Sequence, residues 1–546
     1  NVVTVFGGPN FPTDENEKLD FLKKKPAIDF YIELEGELGF VDLVKALSEN
    51  NFNVKQLKKL GKKIINTCYI HEDKLITGSI ERIKDINIIP SPYLTGALDH
   101  SFQLPLIPMI ETTRGCPFTC TFCADGLDIK SKINRYESQR TREELQLIAK
   151  NINKVDELIV TDLNFGMYKQ DMETAKEIAN IQKNYNYPIS VDAPAGKNMP
   201  KRIINIASIM KGWSMGGVIQ SSDPDVLKAI RRSNISISAY QDLIDFGNKQ
   251  KTNRTYTEII LGLPSDTKEK HFESLRLGVE KSVNNLRMHQ AMLLTGTEMA
   301  SKRDREKYGL VTKFRTLPGN VGNYNILNEE HPVAEIEEIV VGSNTLSMND
   351  YVECRIMNLI IKTFYNNNIF NEIHSMQRAM GISPFDCLVY IKDHEEMYTE
   401  KVKKIIESFV TETTEDLFDT REKANEYVLS PNVINKYING ELGTNELFFH
   451  SSLLFNEFKD ISDLIFESVK RVIKQKGLLT PLIENYLTDL KRFTLMRKNI
   501  PLNNTESVLL GEFEYDFESI HKSEYFLNPN SISKLKTSIQ LKFFHT

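Results

Sequence analysis

The sequence lacks several features that define whole classes of protein. Its six cysteines are sparse for a chain of 546 residues, which argues against a disulfide-stabilised extracellular protein and favours a reducing, cytoplasmic location. No apolar run approaches the roughly 18 residues that a membrane-spanning helix requires. The chain also has no internal repeat and no low-complexity tract, which argues against a solenoid or a compositionally biased linker.

The chain has little net charge of either sign. The formal net charge is −6, with 40% hydrophobic and 26% charged residues, a composition typical of a globular chain with more than one domain. Basic runs are limited to residues 23–25 and 58–63, and we interpret them as solvated surface. A nucleic-acid partner is therefore not expected.

Three of the cysteines are nevertheless concentrated in one short segment. Cys116, Cys120 and Cys123 follow a C-x3-C-x2-C spacing within residues 111–126, and Gly115 and Pro117 flank the first of them. Because glycine and proline favour tight turns, the three sulfur atoms can converge on one point. The segment therefore predicts a metal centre, against the alternative of three unrelated buried thiols.

The number of ligands distinguishes between metals. A structural zinc site needs four protein ligands, and no fourth Cys or His lies at short spacing from this segment. An iron–sulfur cubane is held by thiolates, and three of them leave one iron without a protein ligand. We therefore favour an iron–sulfur cluster whose open iron binds an exogenous molecule.

The three cysteines, with the aromatic Phe122 directly before the last of them, resemble the cluster loop of the radical S-adenosylmethionine (SAM) enzymes. The resemblance implies a [4Fe–4S] cluster whose open iron binds the amino and carboxylate groups of SAM. One electron from the cluster then cleaves SAM to methionine and a 5'-deoxyadenosyl radical, which removes a hydrogen atom from a substrate. We expect Phe122 to lie beside the bound SAM.

Residues 106–297 alternate strand and helix patterns. Helix starts are predicted by a capping box at Thr141 and by Asp223 followed by Pro224. Parallel strands with crossover helices favour a barrel that binds ligands at the C-terminal strand ends. We therefore predict an α/β fold with a partial (β/α)6 TIM-like barrel, as the resemblance also implies. Its strands are expected at 107–112, 157–161, 189–192, 217–221, 257–262 and 286–294.

Polar and glycine residues end several of these predicted strands, where SAM would bind. The usual Gly-Gly-Glu of the family's methionine-binding motif is absent, so the partner of the SAM amino group stays open, and no catalytic side chain is singled out. The resemblance assigns the methionine part of SAM to Asp162 and Asn164, the ribose to Gln220 and Ser221, and the adenine to Ile260 and Gly262.

The first 50 residues show two strand patterns that end in glycine turns, one at Gly7 and Gly8 and the other at Glu35 and Gly36. These turns resemble the closing half of the cobalamin-binding domain that precedes the barrel in B12-dependent radical SAM enzymes. The opening half, with its D-x-H-x-x-G loop, is not in this sequence. We therefore expect cobalamin to bind a longer natural protein better than this chain.

Two further regions flank the predicted barrel. Residues 51–105 form a connector with a hairpin at 64–78 and a proline-fixed stretch at 90–94 that resembles the linker of the cobalamin subgroup. Residues 298–546 are predicted to form a mainly α-helical domain that caps the barrel mouth, with a loop at 314–320 and strand-like composition from Ser507.

Several other residues have ordinary alternatives. Of His289 and Gln290, adjacent on the last predicted strand, one should face the barrel lumen, although a hydrogen-bonded core histidine is the simpler interpretation. Lys197 is interpreted either as a partner of a ligand carboxylate or phosphate or as a solvated lysine. Buried reduced thiols are the default for the remaining cysteines, namely Cys68, Cys354 and Cys387.

The sequence thus predicts a radical SAM enzyme of the cobalamin-associated subgroup that carries out cobalamin-dependent methylation or another radical transformation. Its expected cofactors are a [4Fe–4S] cluster, SAM and cobalamin. Its expected partners are a small-molecule, sugar or peptide substrate and an electron donor such as flavodoxin or ferredoxin. The alternatives are a methylthiotransferase-like enzyme that modifies RNA and a non-catalytic, metal-stabilised binding protein.

Overall fold

A computed structural model describes residues 2–214, 216–250, 255–498, 507–522 and 536–545. Within these ranges no helix is long and apolar enough to cross a membrane. The chain forms an N-terminal α/β layer, a partial barrel and a helical C-terminal region, which are taken in that order below.

The N-terminal layer is a four-stranded sheet in the order β1-β2-β3-β4. The first two strands are parallel, whereas β2, β3 and β4 pair antiparallel, so the predicted hairpin is confirmed. Because β3 and β4 lie inside the predicted connector, the sheet continues across the boundary expected at residue 50. Its elements are β1 (Val5–Gly7), α1 (Glu15–Lys23), β2 (Phe30–Ile32), α2 (Gly36–Glu49), α3 (Val54–Lys59), β3 (Thr67–His71) and β4 (Lys74–Thr77).

The second region is the partial barrel, which consists of short parallel strands joined by helices, with one antiparallel pair, β6 and β7, beside them. Its elements are β5 (Met109–Ile110), β6 (Thr113–Arg114), β7 (Asn134–Arg135), α4 (Ser138–Asn151), β8 (Glu157–Val160), α5 (Asp171–Tyr185), β9 (Ser190–Asp192), α6 (Pro200–Ile209), α7 (Pro224–Ala229), α8 (Ile237–Lys249), β10 (Tyr256–Leu261), α9 (Lys268–Glu280), β11 (Asn285–Gln290) and α10 (Lys302–Tyr308).

Two parallel sheets make the barrel, β5-β8-β9 and β10-β11. The fourth predicted strand, 217–221, is not a regular strand, because Gln220 has φ +59° and a strand needs negative φ throughout. Isolated parallel bridges link Val191 to Trp213, Gly216 to Tyr256 and Gln220 to Ile259. These bridges connect the two sheets into one arc.

The helix starts were predicted with mixed success. Asp223 caps α7, since its side chain accepts hydrogen bonds from the next turn and Pro224 is the first helical residue, so that prediction is confirmed. The capping box at Thr141 is wrong, because α4 already begins at Ser138 and Thr141 is buried inside it. The helix begins after Glu137, which makes no side-chain capping hydrogen bond.

The predicted loop at 314–320 is also wrong, because it lies in a long antiparallel hairpin of β12 (Val311–Ile326) and β13 (Glu329–Gly342). The pairing jumps from Thr316–Ile336 to Val321–Ala334, which leaves residues 317–320 as a bulge. Pro318 and Gly319 therefore mark a bulge inside a strand, a position where both residues are tolerated. Hydrogen bonds from β13 to residues 291 and 293 attach the hairpin to the barrel edge.

The remainder of the C-terminal region is mainly helical, as predicted, and ends in an antiparallel strand pair. The largest apolar core joins β10, β11 and α9 of the barrel to these helices. The elements are α11 (Met348–Phe364), α12 (Asn371–Ala379), α13 (Pro384–Asp393), α14 (Glu400–Glu415), α15 (Arg421–Val428), α16 (Pro431–Ile438), α17 (Glu446–Asn456), α18 (Phe458–Gln475), α19 (Pro481–Lys498), β14 (Ser507–Tyr515), α20 (Phe517–Lys522) and β15 (Lys536–His545).

Candidate functional site

The cysteine segment forms a tight loop between β6 and β7. A Cβ atom at Gly126 would lie 2.1 Å from the carbonyl oxygen of Cys120, and one at Gly115, where φ is +111°, would lie 2.5 Å from that of Lys132. The Cys123 amide donates to the Cys120 carbonyl at 3.1 Å. The loop can therefore close only with glycine at positions 115 and 126.

Nitrogen donors surround the sulfur atoms of this loop. Asn164 Nδ2 donates to Cys116 Sγ at 3.4 Å, and Lys197 Nζ lies 3.9 Å from Cys120 Sγ. Cys116 and Cys120 are buried and Cys123 is half-buried, and burial raises the pKa of the Cys123 thiol. Because a positive charge and N–H donors stabilise thiolates, this surrounding suits sulfur ligands of a metal centre.

The spacing of the thiols bears on the type of centre. In the part of the chain that the structure describes, no three Cys, His, Asp or Glu side chains are grouped closely enough to hold a metal ion. A four-iron cubane is larger than one ion and holds its thiolates farther apart, and the donor set of three cysteines with N–H partners fits it.

Arg232 is a functional candidate that sequence reasoning missed. Its Nε donates to Asn234 Oδ1 at 3.0 Å, its Nη2 donates to the Val218 carbonyl, and its Nη1 is buried without a partner. Burial lowers its pKa, whereas the nearby Cys120 acts in the opposite direction. The sequence shows only two adjacent arginines, and the neighbouring Arg231 instead forms a surface ion pair with Glu298.

Asp162 is buried and supports the strand that leads to the cluster loop. Its Oδ1 accepts from the amides of Thr112 at 2.7 Å and Thr113 at 3.0 Å, and its Oδ2 accepts from the Thr112 hydroxyl. Burial raises its pKa, and these hydrogen bonds act against that rise. Both oxygens are thus already engaged, whereas Asn164 Oδ1 is buried without a partner.

Of the two residues predicted to contact the ribose, one also has an unpartnered acceptor and the other is already hydrogen-bonded. Gln220 is buried, and its Oε1 has no partner. Ser221 Oγ lies 3.4 Å from Ser274 Oγ and accepts from the Asp223 amide at 3.2 Å. Gln220 therefore offers a free acceptor, while Ser221 holds the start of α7.

A cavity of about 450 Å³, here called the barrel cavity, opens at the ends of β10 and β11. Phe122 and Ile260 both line it, as do His289 and Gln290. Gln290 Oε1 accepts from Arg315 Nη2 at 2.6 Å, and Arg315 lines the same cavity. The apolar part of the wall is suited to a flat ring.

The resemblance assigns Gly262 to the adenine of SAM, and in the structure this glycine follows β10 and lies beside β13. It has φ +85°, and a Cβ there would lie 3.3 Å from the Val340 carbonyl oxygen on β13. Its amide donates to Asp266 Oδ2 at 3.2 Å. Gly262 thus permits the close approach of the hairpin, and it is not among the residues that line the barrel cavity.

A second cavity, of about 730 Å³ and here called the glycine-loop cavity, lies between the N-terminal layer and the cluster loop. All four residues predicted to contact cobalamin line it, namely Gly7, Gly8, Glu35 and Gly36. The opposite wall includes Gly115 and Asp125 of the cluster loop. The structure therefore brings two turns that are distant in sequence against the cluster loop.

A third cavity, of about 440 Å³ and here called the hairpin cavity, is lined by Asn10, Ala124, Met292 and Leu317, among others. Met292 and Leu317 also line the barrel cavity. Asn10 and Ala124 lie two residues after Gly8 and one residue before Asp125, which line the glycine-loop cavity. The hairpin cavity thus adjoins both of the others.

The remaining three cysteines are buried free thiols, as expected, and burial raises the pKa of each. They are Cys68, Cys354 and Cys387.

Known proteins share parts of this sequence. Residues 110–277 match the radical SAM superfamily. A cobalamin-dependent radical SAM methyltransferase, TokK of Streptomyces tokunonensis, is 27% identical over 368 residues, which are 65% of this chain and 51% of that protein. The 2-(S-pantetheinyl)-carbapenam-3-carboxylate methyltransferase of Streptantibioticus cattleyicolor is 27% identical over 372 residues, again 65% of this chain and 51% of that protein.

Among solved structures, the cobalamin-dependent SAM radical enzyme OxsB with aqua-cobalamin and SAM is 14% identical with a TM-score of 0.44, over 90% of this chain and 70% of that one. This chain spans about half the length of the two curated relatives described above. The match over residues 110–277 contains the complete cysteine loop. Residues 110–277 therefore form a radical SAM domain, and the chain around it is similar to cobalamin-dependent radical SAM methyltransferases.

Proposed function

We propose that this chain cleaves SAM reductively at the cysteine loop. The observation that carries the proposal is that several buried polar atoms on and around that loop have no partner, among them Arg232 Nη1, Asn164 Oδ1 and Gln220 Oε1. Buried polar atoms are normally paired, so a ligand is expected to satisfy them. One donor and two acceptors match the carboxylate, ammonium and ribose hydroxyl groups of SAM.

Different residues would bind the cluster and SAM. Cys116, Cys120 and Cys123 would hold the cluster, and Arg232 would hold the SAM carboxylate. When bound, the [4Fe–4S] cluster supplies the electron that breaks SAM into methionine and a 5'-deoxyadenosyl radical. The side chains of Phe122 and Ile260 would cover the adenosine in the barrel cavity and keep water away from it.

We further propose that the reaction outcome is cobalamin-dependent methylation, or another radical transformation, of a small-molecule, sugar or peptide substrate. The glycine-loop cavity would hold the corrinoid, which supplies methyl-transfer chemistry when bound. The hairpin cavity would hold the substrate, because it adjoins both cofactor cavities. An electron donor such as flavodoxin or ferredoxin completes the expected set of partners.

An anaerobic assay of the reconstituted chain with SAM, dithionite and hydroxocobalamin tests this proposal. 5'-Deoxyadenosine is the expected product, and S-adenosylhomocysteine should appear in addition when a methylation substrate is supplied. The pantetheinyl carbapenam carboxylate after which one relative is named is a first substrate to try. A full cluster that yields neither product would overturn the proposal.

Two cysteine variants sharpen the assay. Cys120→Ala should abolish 5'-deoxyadenosine formation, because it removes a cluster ligand. Cys68→Ala, a buried thiol in the N-terminal sheet, is the matched control and should retain it. Activity in the Cys120 variant would contradict the assignment of the cluster.

A further inference from the structure

Glu37 connects the N-terminal layer to the cluster loop. It lies in the first turn of α2, where a carboxylate is favoured by the helix dipole, and it lines the glycine-loop cavity. Its Oε1 accepts from Arg114 Nη1 at 2.9 Å. Arg114 directly precedes Gly115 and Cys116, so this carboxylate contacts the chain at the point where the cluster loop begins.

A parallel contact holds the other end of the loop. Glu35, two residues before Glu37, accepts from Arg82 Nε at 3.0 Å, and Arg82 Nη1 donates to the Lys132 carbonyl at 2.6 Å. Lys132 follows the loop and precedes β7. The start of α2 therefore fixes both ends of the cluster loop through two acid–arginine pairs.

The charged residues in the wall of the glycine-loop cavity indicate which class of ligand can bind there. Each cation of its wall is already paired, Arg82 with Glu35, Arg114 with Glu37 and Glu111, and Lys130 with Asp125. Among the described residues of this wall, Glu37 Oε2 is a buried atom without a partner. The cavity therefore has an acceptor to satisfy, so its ligand should carry N–H or O–H donors.

The other side of the cavity is apolar, with Val5, Phe6, Ile32 and Phe40 in its wall. A large ring system with hydrogen-bond donors at its edge fits such a wall and such an acceptor together. The corrin ring has this form, since its periphery carries primary amides. A ligand that presents only acceptor groups to this part of the wall would instead leave the carboxylate unsatisfied.

We propose that Glu37 serves both cofactor sites, with Oε1 holding Arg114 at the cluster loop and Oε2 accepting an amide N–H of a corrinoid in the glycine-loop cavity. This inference rests on the proposal that the cavity takes cobalamin. It adds a contact residue for the corrinoid and a direct link between the two cofactors.

The experiment is a spectrophotometric titration of the full chain with hydroxocobalamin. Glu37→Ala should weaken binding about tenfold or more, the range expected for loss of a hydrogen bond to a charged group. Glu37→Gln keeps the shape of the side chain and should weaken binding less. Glu49→Gln changes an exposed acid on the same helix, paired with Lys62, and should bind like the unchanged chain.

The variant Arg114→Met distinguishes a direct contact of Glu37 with the corrinoid from an indirect effect through Arg114 and the cluster loop. If Glu37 touches the corrinoid, Glu37→Ala should weaken hydroxocobalamin binding several-fold more than Arg114→Met does, with circular dichroism showing that both variants are folded. Equal effects of the two, or no effect of Glu37→Ala, would overturn the inference. Lack of hydroxocobalamin binding by the unchanged chain would also overturn it, whereas continued 5'-deoxyadenosine formation would leave SAM cleavage standing.

Discussion

At the scale of single residues, the site depends on a few buried polar groups that a sequence does not distinguish from ordinary ones. Arg231 and Arg232 are neighbours, yet the first pairs with Glu298 at the surface and the second is buried beside Cys120. Burying a guanidinium costs free energy unless its N–H groups are satisfied. Because Arg232 Nη1 has no partner and the Cys120 sulfur lies beside the guanidinium, the group is placed to pair with an anion at the cluster loop, either the Cys120 thiolate or a bound carboxylate.

The two arginines provide a direct test of this point. Arg232→Met should weaken SAM binding by at least tenfold, because an anion loses a charge-assisted hydrogen bond, while the iron content after reconstitution stays the same. Arg231→Met should leave SAM binding unchanged. Equilibrium binding of SAM under anaerobic conditions measures both, and equal SAM affinity in the two variants would contradict the role of Arg232.

Asp266 should make stability depend on pH. Burial raises its pKa from 3.8 to about 7 in the folded protein, so between these values the folded state binds more protons than the unfolded chain. The contribution of Asp266 to the free energy of unfolding should therefore fall as the pH rises from about 4 to about 7, by a few kcal/mol at most. Burial lowers the pKa of His271 and His374 to about 4, and these two groups contribute in the opposite direction.

Denaturant unfolding at several pH values measures this effect. Asp266→Asn should flatten the dependence, whereas Asp245→Asn, on the exposed face of α8, should not. Part of the slope should persist, because burial also raises the pKa of Asp171 to about 6 and of Glu412 to about 7. An identical slope with and without Asp266 would show that its carboxyl does not titrate in this range.

At the scale of elements, short strands and tight turns position the site. The cluster loop closes on Gly115 and Gly126, β10 ends in a glycine that lets β13 approach, and the bulge at 317–320 brings Leu317 to two cavities. Each of these three backbone features contains a glycine or a proline, which a regular helix or strand would not accommodate at that position. The catalytic geometry therefore depends on irregular backbone held by regular neighbours.

Gly126→Ala tests the cluster loop as an element. Its new Cβ would lie 2.1 Å from backbone, a clash that a backbone shift must relieve. We expect iron incorporation to fall several-fold while far-UV circular dichroism is unchanged. Gly322→Ala, whose Cβ would make only ordinary contacts, should reconstitute normally. Full iron content in the Gly126 variant would show that the loop tolerates another backbone path.

At the scale of the whole molecule, the barrel and the C-terminal helices share one core. Ile259, Leu275 and Leu286 of the barrel pack in the same apolar cluster as Phe364 and Phe385 of the helices. Polar contacts cross the same boundary, since Asn366 Oδ1 accepts from the Leu286 amide at 2.9 Å and the Tyr365 hydroxyl donates to the Val279 carbonyl at 3.1 Å. The helices therefore complete the barrel.

Ending the chain at residue 325 should for this reason give an insoluble or molten product. Each large side chain that loses its cover costs roughly 1.5–3 kcal/mol, and a domain has only about 5–15 kcal/mol to lose. The soluble fraction and the binding of a hydrophobic dye measure the outcome. A soluble truncated chain with a cooperative melt would show that the barrel folds without the helices.

The sequence by itself determined the cysteine loop, its resemblance to the radical SAM enzymes and the alternation of strands and helices. It could do so because the three ligands lie within eight consecutive residues, and hydrophobic periodicity is a local property. It also indicated the four turn residues of the glycine-loop cavity, but only through their resemblance to a known domain.

Only the tertiary structure decided what those residues meet. The bridges that replace the fourth strand, the position of Arg232 beside Cys120 and the contact between Glu37 and Arg114 all join positions far apart in the chain. Local propensity cannot predict such contacts, because burial and pairing depend on packing against distant residues. The Pro318–Gly319 signal was interpreted as a loop for the same reason, since a partner strand turns it into a bulge.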